Sequence, residues 1–193
     1  MPEPHYYDAR PLVTLERHVC VVGHRGARAD AVVRYIGALL GLNYTLLDDA
    51  VAHDLGESPL SFIGREGLNV YRHLEAGALR KLVKRRPHAL IACSSDTLTG
   101  WWTRTTVRHH STVIWLETSL TRLLDNARKD QRIYPGLPAY ILPEVMAAHC
   151  QASWQGKDAD VRLDVNTSMP SVLALQLMKQ LGWQPPAIDV QAS

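Results

Sequence analysis

The stretch His18-Val-Cys-Val-Val-Gly-His-Arg-Gly-Ala-Arg-Ala-Asp30 restricts the chain's choice of fold more than any other. Its first half is a short apolar run rich in β-branched residues (Val19, Val21, Val22) that reads as a strand and stops at Gly23. Gly26 follows, and then Val32, Ile36, Leu39 and Leu40 recur on one side of a helical pattern closed by Gly41. Strand, glycine turn and helix in that order make a cradle for phosphate, because backbone N–H groups and a helix N-terminus point into the turn. The motif built on this geometry is Gly-x-x-x-x-Gly-Lys-Ser/Thr. Counted from Gly23, this chain has Arg28, Ala29 and Asp30 in the last three places. The scaffold of a phosphate loop is present without the residues that operate one.

The rest of the chain repeats the alternation of strand and helix. Ala89–Cys93 and Ser111–Leu116 are unbroken apolar runs, as strands buried on both faces require, and Asn43–Leu47 and Ala159–Val165 read as shorter strands. Helical patterns are expected at about 27–40, 59–84, from the hydroxyl cap after Glu117 to about Ala127, at 142–155 and at 169–181. Such alternation predicts an α/β fold with a parallel sheet covered on both faces. No linker divides the chain, so one domain is expected over 16–183, with an irregular arm at 1–15 and a frayed tail at 184–193. Residues 128–141 are basic at first and then broken by Pro and Gly, which reads as a mobile flap.

Composition excludes several classes. A net charge of +2, with no basic stripe, gives no case for a nucleic-acid partner. No apolar run approaches the ~18 residues of a membrane span, and no signal peptide opens the chain, so no membrane partner and a cytoplasmic setting are expected. Cys20, Cys93 and Cys150 are too scattered for a disulfide framework. Nine histidines show no zinc-ligand spacing, the pairs His109-His110 and His149-Cys150 being read as pointing apart, so no metal site is expected. Trp101-Trp102 cannot both face one way on a regular element, so at least one is expected to cover core or another chain.

Three groups of polar residues stand where chemistry is done on such a sheet, beyond the C-terminal ends of the strands. Asp48-Asp49 ends the second strand, and Asp48 serves equally well as a helix N-cap. Ser94-Ser95-Asp96 ends the third. Glu75 falls on the inward stripe of a helix with Leu68, Tyr71, Ala78 and Leu82, three residues after Arg72, so the two form either a structural ion pair or the polar wall of a site.

These parts, in this order, resemble the shikimate kinase family of P-loop small-molecule kinases over about residues 17–182. The resemblance rests on Val-Val-Gly-His-Arg-Gly-Ala, Leu40-Gly41-Leu42-Asn43-Tyr44 leading to Asp48, Arg65-Glu66-Gly67 followed by Tyr71-Arg72 and Glu75, and the third strand Leu90–Cys93. Trp115-Leu-Glu-Thr-Ser119 and Ala159-Asp160-Val-Arg-Leu-Asp164 complete it. It implies a five-stranded parallel sheet ordered 2-3-1-4-5, a substrate pocket beside the phosphate loop and a lid at about 128–141 whose arginine is matched by Arg132. It also implies that Asp48 binds ring hydroxyls, Arg72 the substrate carboxylate, and Glu75 supports that arginine, in a pocket completed by Ser94, Ser95 and Asp96 where the family has three glycines. A second substrate arginine is matched loosely by Gln151.

On the phosphate side the resemblance fails. Ala29 stands for the phosphate-binding lysine, Asp30 for the hydroxyl that holds Mg²⁺, and Leu46 for a metal-associated aspartate. Losing one electrostatic contact to developing charge costs about 2.7–4 kcal/mol of barrier. The leading expectation is therefore a pseudokinase that binds a small carboxylate or polyol, or a protein partner, with no cofactor. A divergent kinase using ATP and Mg²⁺ through Gly23, Gly26, Arg25, Arg28 and Arg132 is the alternative, and an oligomeric interaction domain is a third.

Overall fold

The computed structural model describes residues 13–130, 137–166 and 169–183. Five parallel strands, β1 (His18–Gly23), β2 (Tyr44–Leu46), β3 (Leu90–Ser94), β4 (Ser111–Glu117) and β5 (Val161–Asp164), form one sheet in the order β2-β3-β1-β4-β5. This is the order the resemblance implied. Around the sheet lie α1 (Ala29–Leu40), α2 (Leu47–Leu55), α3 (Pro59–Glu66), α4 (Leu68–Leu82), α5 (Trp101–His110), α6 (Leu120–Lys129), α7 (Leu142–Ala152) and α8 (Pro170–Gln180).

Alternation along the strands sorts the core into two layers. Val19 and Val21 of β1, Leu90 and Ala92 of β3, and Ile114 and Leu116 of β4 face the layer of α1, α6, α7 and α8. Cys20 and Val22, Ile91 and Cys93, and Val113 and Trp115 face the layer of α2, α4 and α5. Both layers are apolar, so the central strands carry no polar alternation. In the second layer burial pushes the Cys20 thiol up to about 12 and Cys93 well above its usual range, which leaves both as small hydrophobes.

The structure corrects several expectations. The helix expected over 59–84 is two helices, because Gly67 at φ 88° reverses the chain between α3 and α4. The buried residues of α4 are Tyr71, Glu75 and Leu79, while Leu68, Ala78 and Leu82 are only partly covered. Asp48 does not cap α2: the cap is Leu46, and Asp48 and Asp49 lie in the first turn, where their charge favours the helix N-terminus. Trp101 and Trp102 open α5 and neither covers the core, being 60% and 70% exposed with their rings edge to face at 5.0 Å. The rings of His109 and His110 likewise meet edge to face, at 4.9 Å, and do not point apart. No helix among the described residues is long and apolar enough to cross a membrane. The arm up to residue 12, the tail from 184, and residues 131–136 of the expected flap, Arg132 among them, lie outside the described residues.

One glycine after α7 fixes the aromatic floor beneath the site. Gly156 has φ 66°, and a Cβ there would come within 2.3 Å of the Trp115 indole. Trp115 in turn meets Trp154 at 5.5 Å and His24 at 5.0 Å. Gly156→Ala is expected to destabilise the fold by about 2–4 kcal/mol in urea unfolding, from overpacking plus the left-handed backbone.

Candidate functional site

The turn after β1 keeps the shape of a phosphate loop. A Cβ on Gly23 would lie 2.6 Å from that of Ala27, so the close return of the chain requires glycine there. Gly26 has φ 92°, and Arg28 sits at φ 66°, ψ 33° just before α1. A left-handed conformation costs a non-glycine residue about 1–2 kcal/mol.

Side chains hold this loop from three directions. The Gly26 carbonyl accepts from Asn126 Nδ2 of α6 at 2.8 Å. His24 Nδ1 lies 3.0 Å from Ser95 Oγ and 3.1 Å from Ser153 Oγ, and Ser95 Oγ donates to Ser153 Oγ at 3.1 Å. Arg25 Nε donates to Asp96 Oδ2 at 3.1 Å. Burial lowers the pKa of His24, against the opposing pull of Asp96, and so favours the neutral ring.

Asp96 is where the elements converge. It lies in the 3-10 turn Ser95–Leu98 that follows β3, and its carboxylate also accepts from Arg72 Nη2 of α4 at 3.4 Å. Arg72 Nη2 donates as well to His149 Nε2 of α7 at 3.2 Å. Burial, reinforced by Arg72 and Arg25, lowers the pKa of His149 against the pull of Asp96. Arg72 is thus paired with Asp96, not with Glu75 three residues on, so of the two readings the sequence left open the structural ion pair does not form.

Glu75 is fully buried on α4, and neither of its carboxylate oxygens has a hydrogen-bond partner among the described residues. Burial raises its pKa to about 8, opposed by Arg25 and reinforced by Asp48 and Asp96. The Tyr71 hydroxyl, one helical turn earlier, is raised by burial and by Asp48 and Glu75. Arg25 Nη2, Arg72 Nε and the Tyr71 hydroxyl are also buried without partners among the described residues.

A cleft of about 330 Å³ opens in front of the loop. Gly23, Arg25, Gly26, Asp48 and Ser94 line it together with Arg28, Ala29, Asp30, Arg34, Leu46, Asp49 and Asp130. Asp49 is paired across the surface with Arg34 at 3.2 Å. Of the candidates read from sequence, Asp48, Arg72, Glu75 and Asp96 gather around Arg25, whereas Ser95 is buried behind the loop with His24. Gln151 is exposed, and His149 on the same helix reaches the site instead. The sequence offers Arg25 as a phosphate ligand and not as the centre of this cluster, and it assigns His24, Tyr71 and His149 no place in it. The spacing of one helical turn from Tyr71 to Glu75 is the signal that points to Tyr71.

The family model for shikimate kinase matches residues 30–179. The chain belongs to the shikimate kinase family. The match begins at Asp30, so Gly23–Ala29 lie outside it. The shikimate kinase of Paracidovorax citrulli is 27% identical over 112 residues, 58% of this chain and 61% of that protein, so this match spans less than two thirds of the relative. That of Paramagnetospirillum magneticum is 24% identical over 86% of this chain and 84% of its own. Among solved structures, the shikimate kinase of Acinetobacter baumannii in complex with shikimate aligns with a TM-score of 0.75 at 18% identity, covering 86% of this chain and 92% of that one. A gluconokinase from Sinorhizobium meliloti shares the fold with a TM-score of 0.56 at 11% identity, covering 88% of this chain and 98% of its own. Among the described residues no group of three or more His, Cys, Asp or Glu side chains is placed to hold a metal ion.

Glu75 gives the site a pH signature. Its folded pKa of about 8 lies above the usual carboxylate value of 4.5, so between those values the folded chain binds more protons than the unfolded one. Its contribution to stability is complete below about pH 4.5 and is lost as pH rises through about 8. Glu75→Gln is expected to flatten this fall, seen as a smaller drop in urea midpoint from about pH 5 to about pH 8.5.

Proposed function

We propose that this shikimate-kinase-family protein binds a small hydroxylated ligand, of the carboxylate or polyol kind, and does not transfer phosphate from Mg-ATP. The observation that carries this reading is the split between the two sides of the cleft. On one side Arg25 and Asp48 line the cleft, and Arg72, Glu75 and Asp96 gather with them outside its lining, with buried polar atoms that lack partners among the described residues. On the phosphate side the first turn of α1 offers the Ala29 methyl group and the Asp30 carboxylate, and Leu46 is buried apolar surface.

Those residues do not fit Mg-ATP. Phosphoryl transfer requires cations to neutralise charge on the transferring group. Asp30 sets a negative charge at the helix end that would face a phosphate. Arg25 is committed to Asp96 and faces Glu75, which weighs against its service as a substitute lysine. Arg28 remains on the cleft wall as the residue on which a divergent kinase would depend.

Calorimetric titration of Mg-ATP into the full chain is expected to show no binding up to millimolar concentration, and no ADP is expected with shikimate as acceptor. Micromolar affinity for Mg-ATP that Arg28→Ala abolishes, or sustained ADP release, would establish the kinase instead. The double variant Ala29→Lys/Asp30→Ser is expected to gain Mg-ATP affinity, since it restores an ammonium and a hydroxyl at the loop.

The exposure of Trp101 and Trp102 favours a second reading, an oligomer formed through α5. Light scattering is the check: that reading expects a dimer or larger species that Trp101→Ser/Trp102→Ser dissociates, and a monomer at high concentration ends it.

A further inference from the structure

The charge of the ligand is decided by what the arginines already hold. Arg25 Nε and Arg72 Nη2 meet on one atom, Asp96 Oδ2, at 3.1 and 3.4 Å, and the aspartate side chain is only 7% exposed. Arg25 also faces Glu75 and Asp48. Three carboxyl groups therefore stand against two guanidinium groups, with His24 and His149 as the imidazoles alongside. No surplus of positive charge is left among these groups to receive an anion, and on the cleft wall Arg28 and Arg34 stand among Asp30, Asp49 and Asp130.

An entering carboxylate would have to displace Asp96 from its arginines or settle beside it. Displacement strands a buried charge, and cohabitation sets like charges together where the dielectric is low and their repulsion is weakly screened. Hydroxyl groups meet neither penalty. Each donates one hydrogen bond and accepts others. They can donate to Asp48 and accept from the Arg25 guanidinium, both of which line the cleft, and leave the pairing of Arg25 and Arg72 with Asp96 in place. The cleft, which meets this cluster at Arg25 and Asp48, is about 330 Å³, at the small end of the usual range for ligand sites, and suits a single ring.

We infer that this pocket selects a neutral polyhydroxylated compound over the corresponding acid, and that Asp96 is the residue that sets the preference. The inference rests on the ligand-pocket reading above and narrows it from carboxylate or polyol to polyol.

The test uses a matched pair that differs in charge and keeps the ring and its hydroxyls: shikimate and its methyl ester, each titrated calorimetrically into the full chain near neutral pH. The ester is expected to bind about tenfold or more tighter than the acid. Asp96→Asn keeps the side chain's shape while removing its charge, and Asp96→Ala frees both arginines. Both variants are expected to shift the ratio toward the acid, Asp96→Ala far enough to reverse it. Acid binding as well as or better than ester in the unaltered chain overturns the inference. So does an ester-to-acid ratio that both variants leave unchanged while their melting curves show them folded. Silence with both probes overturns the pocket reading along with it. ADP production from Mg-ATP overturns only the claim that phosphate transfer is lost.

Discussion

The carboxylate of Asp96 is the point from which the site hangs. It receives a guanidinium from the loop after β1 and another from α4, and through Arg72 it is joined to His149 on α7. Each of those elements packs on the sheet for reasons of its own, chiefly the two apolar layers that the alternating strands create. What the layers do not fix is how the polar ends of the elements meet above the strands. A buried acid with two cations fixes that, because removing either partner would leave charge stranded in a poorly solvated place. The same arrangement ties α4 and the turn after β3 to the loop after β1, so these cannot be altered independently.

Glu75 and the loop illustrate two ways in which a protein departs from favourable local chemistry. Glu75 is an acid without a hydrogen-bond partner among the described residues, in a setting that favours its protonated form. Arg28 holds a backbone conformation that its own Cβ disfavours. Both lie around Arg25 or the loop that carries it, and unsatisfied or strained groups gathered in one place are what the proposed ligand pocket would require.

The sheet is legible in the chain because its signal is collective. Buried runs such as Ala89–Cys93 and Ser111–Leu116 have few alternatives, and a glycine turn followed by a periodic helix confirms the first strand. The break at Gly67 is not legible, since the helical pattern continues across it and only the positive φ ends α3. The Arg72–Glu75 pair fails for a different reason. Spacing says which side chains share a helix face, but Arg72 finds a better acid on the neighbouring turn after β3, and that contact spans 24 positions of sequence. In the sequence His149 stands beside Cys150 and invites comparison with a pair of metal ligands. In the fold it reaches the site as a hydrogen-bond acceptor for Arg72. Tertiary convergence of this kind leaves no local trace in the chain.

The indole of Trp115 is buried, lies edge to face with the imidazole of His24 and touches the indole of Trp154. Buried indoles emit at shorter wavelengths than exposed ones, and a protonated imidazole nearby quenches them. Trp115 and Trp154 are therefore expected to supply the blue side of this protein's fluorescence, and the solvent-facing Trp101 and Trp102 the red side. Protonation of His24 is expected to dim that blue side, since its ring lies against Trp115.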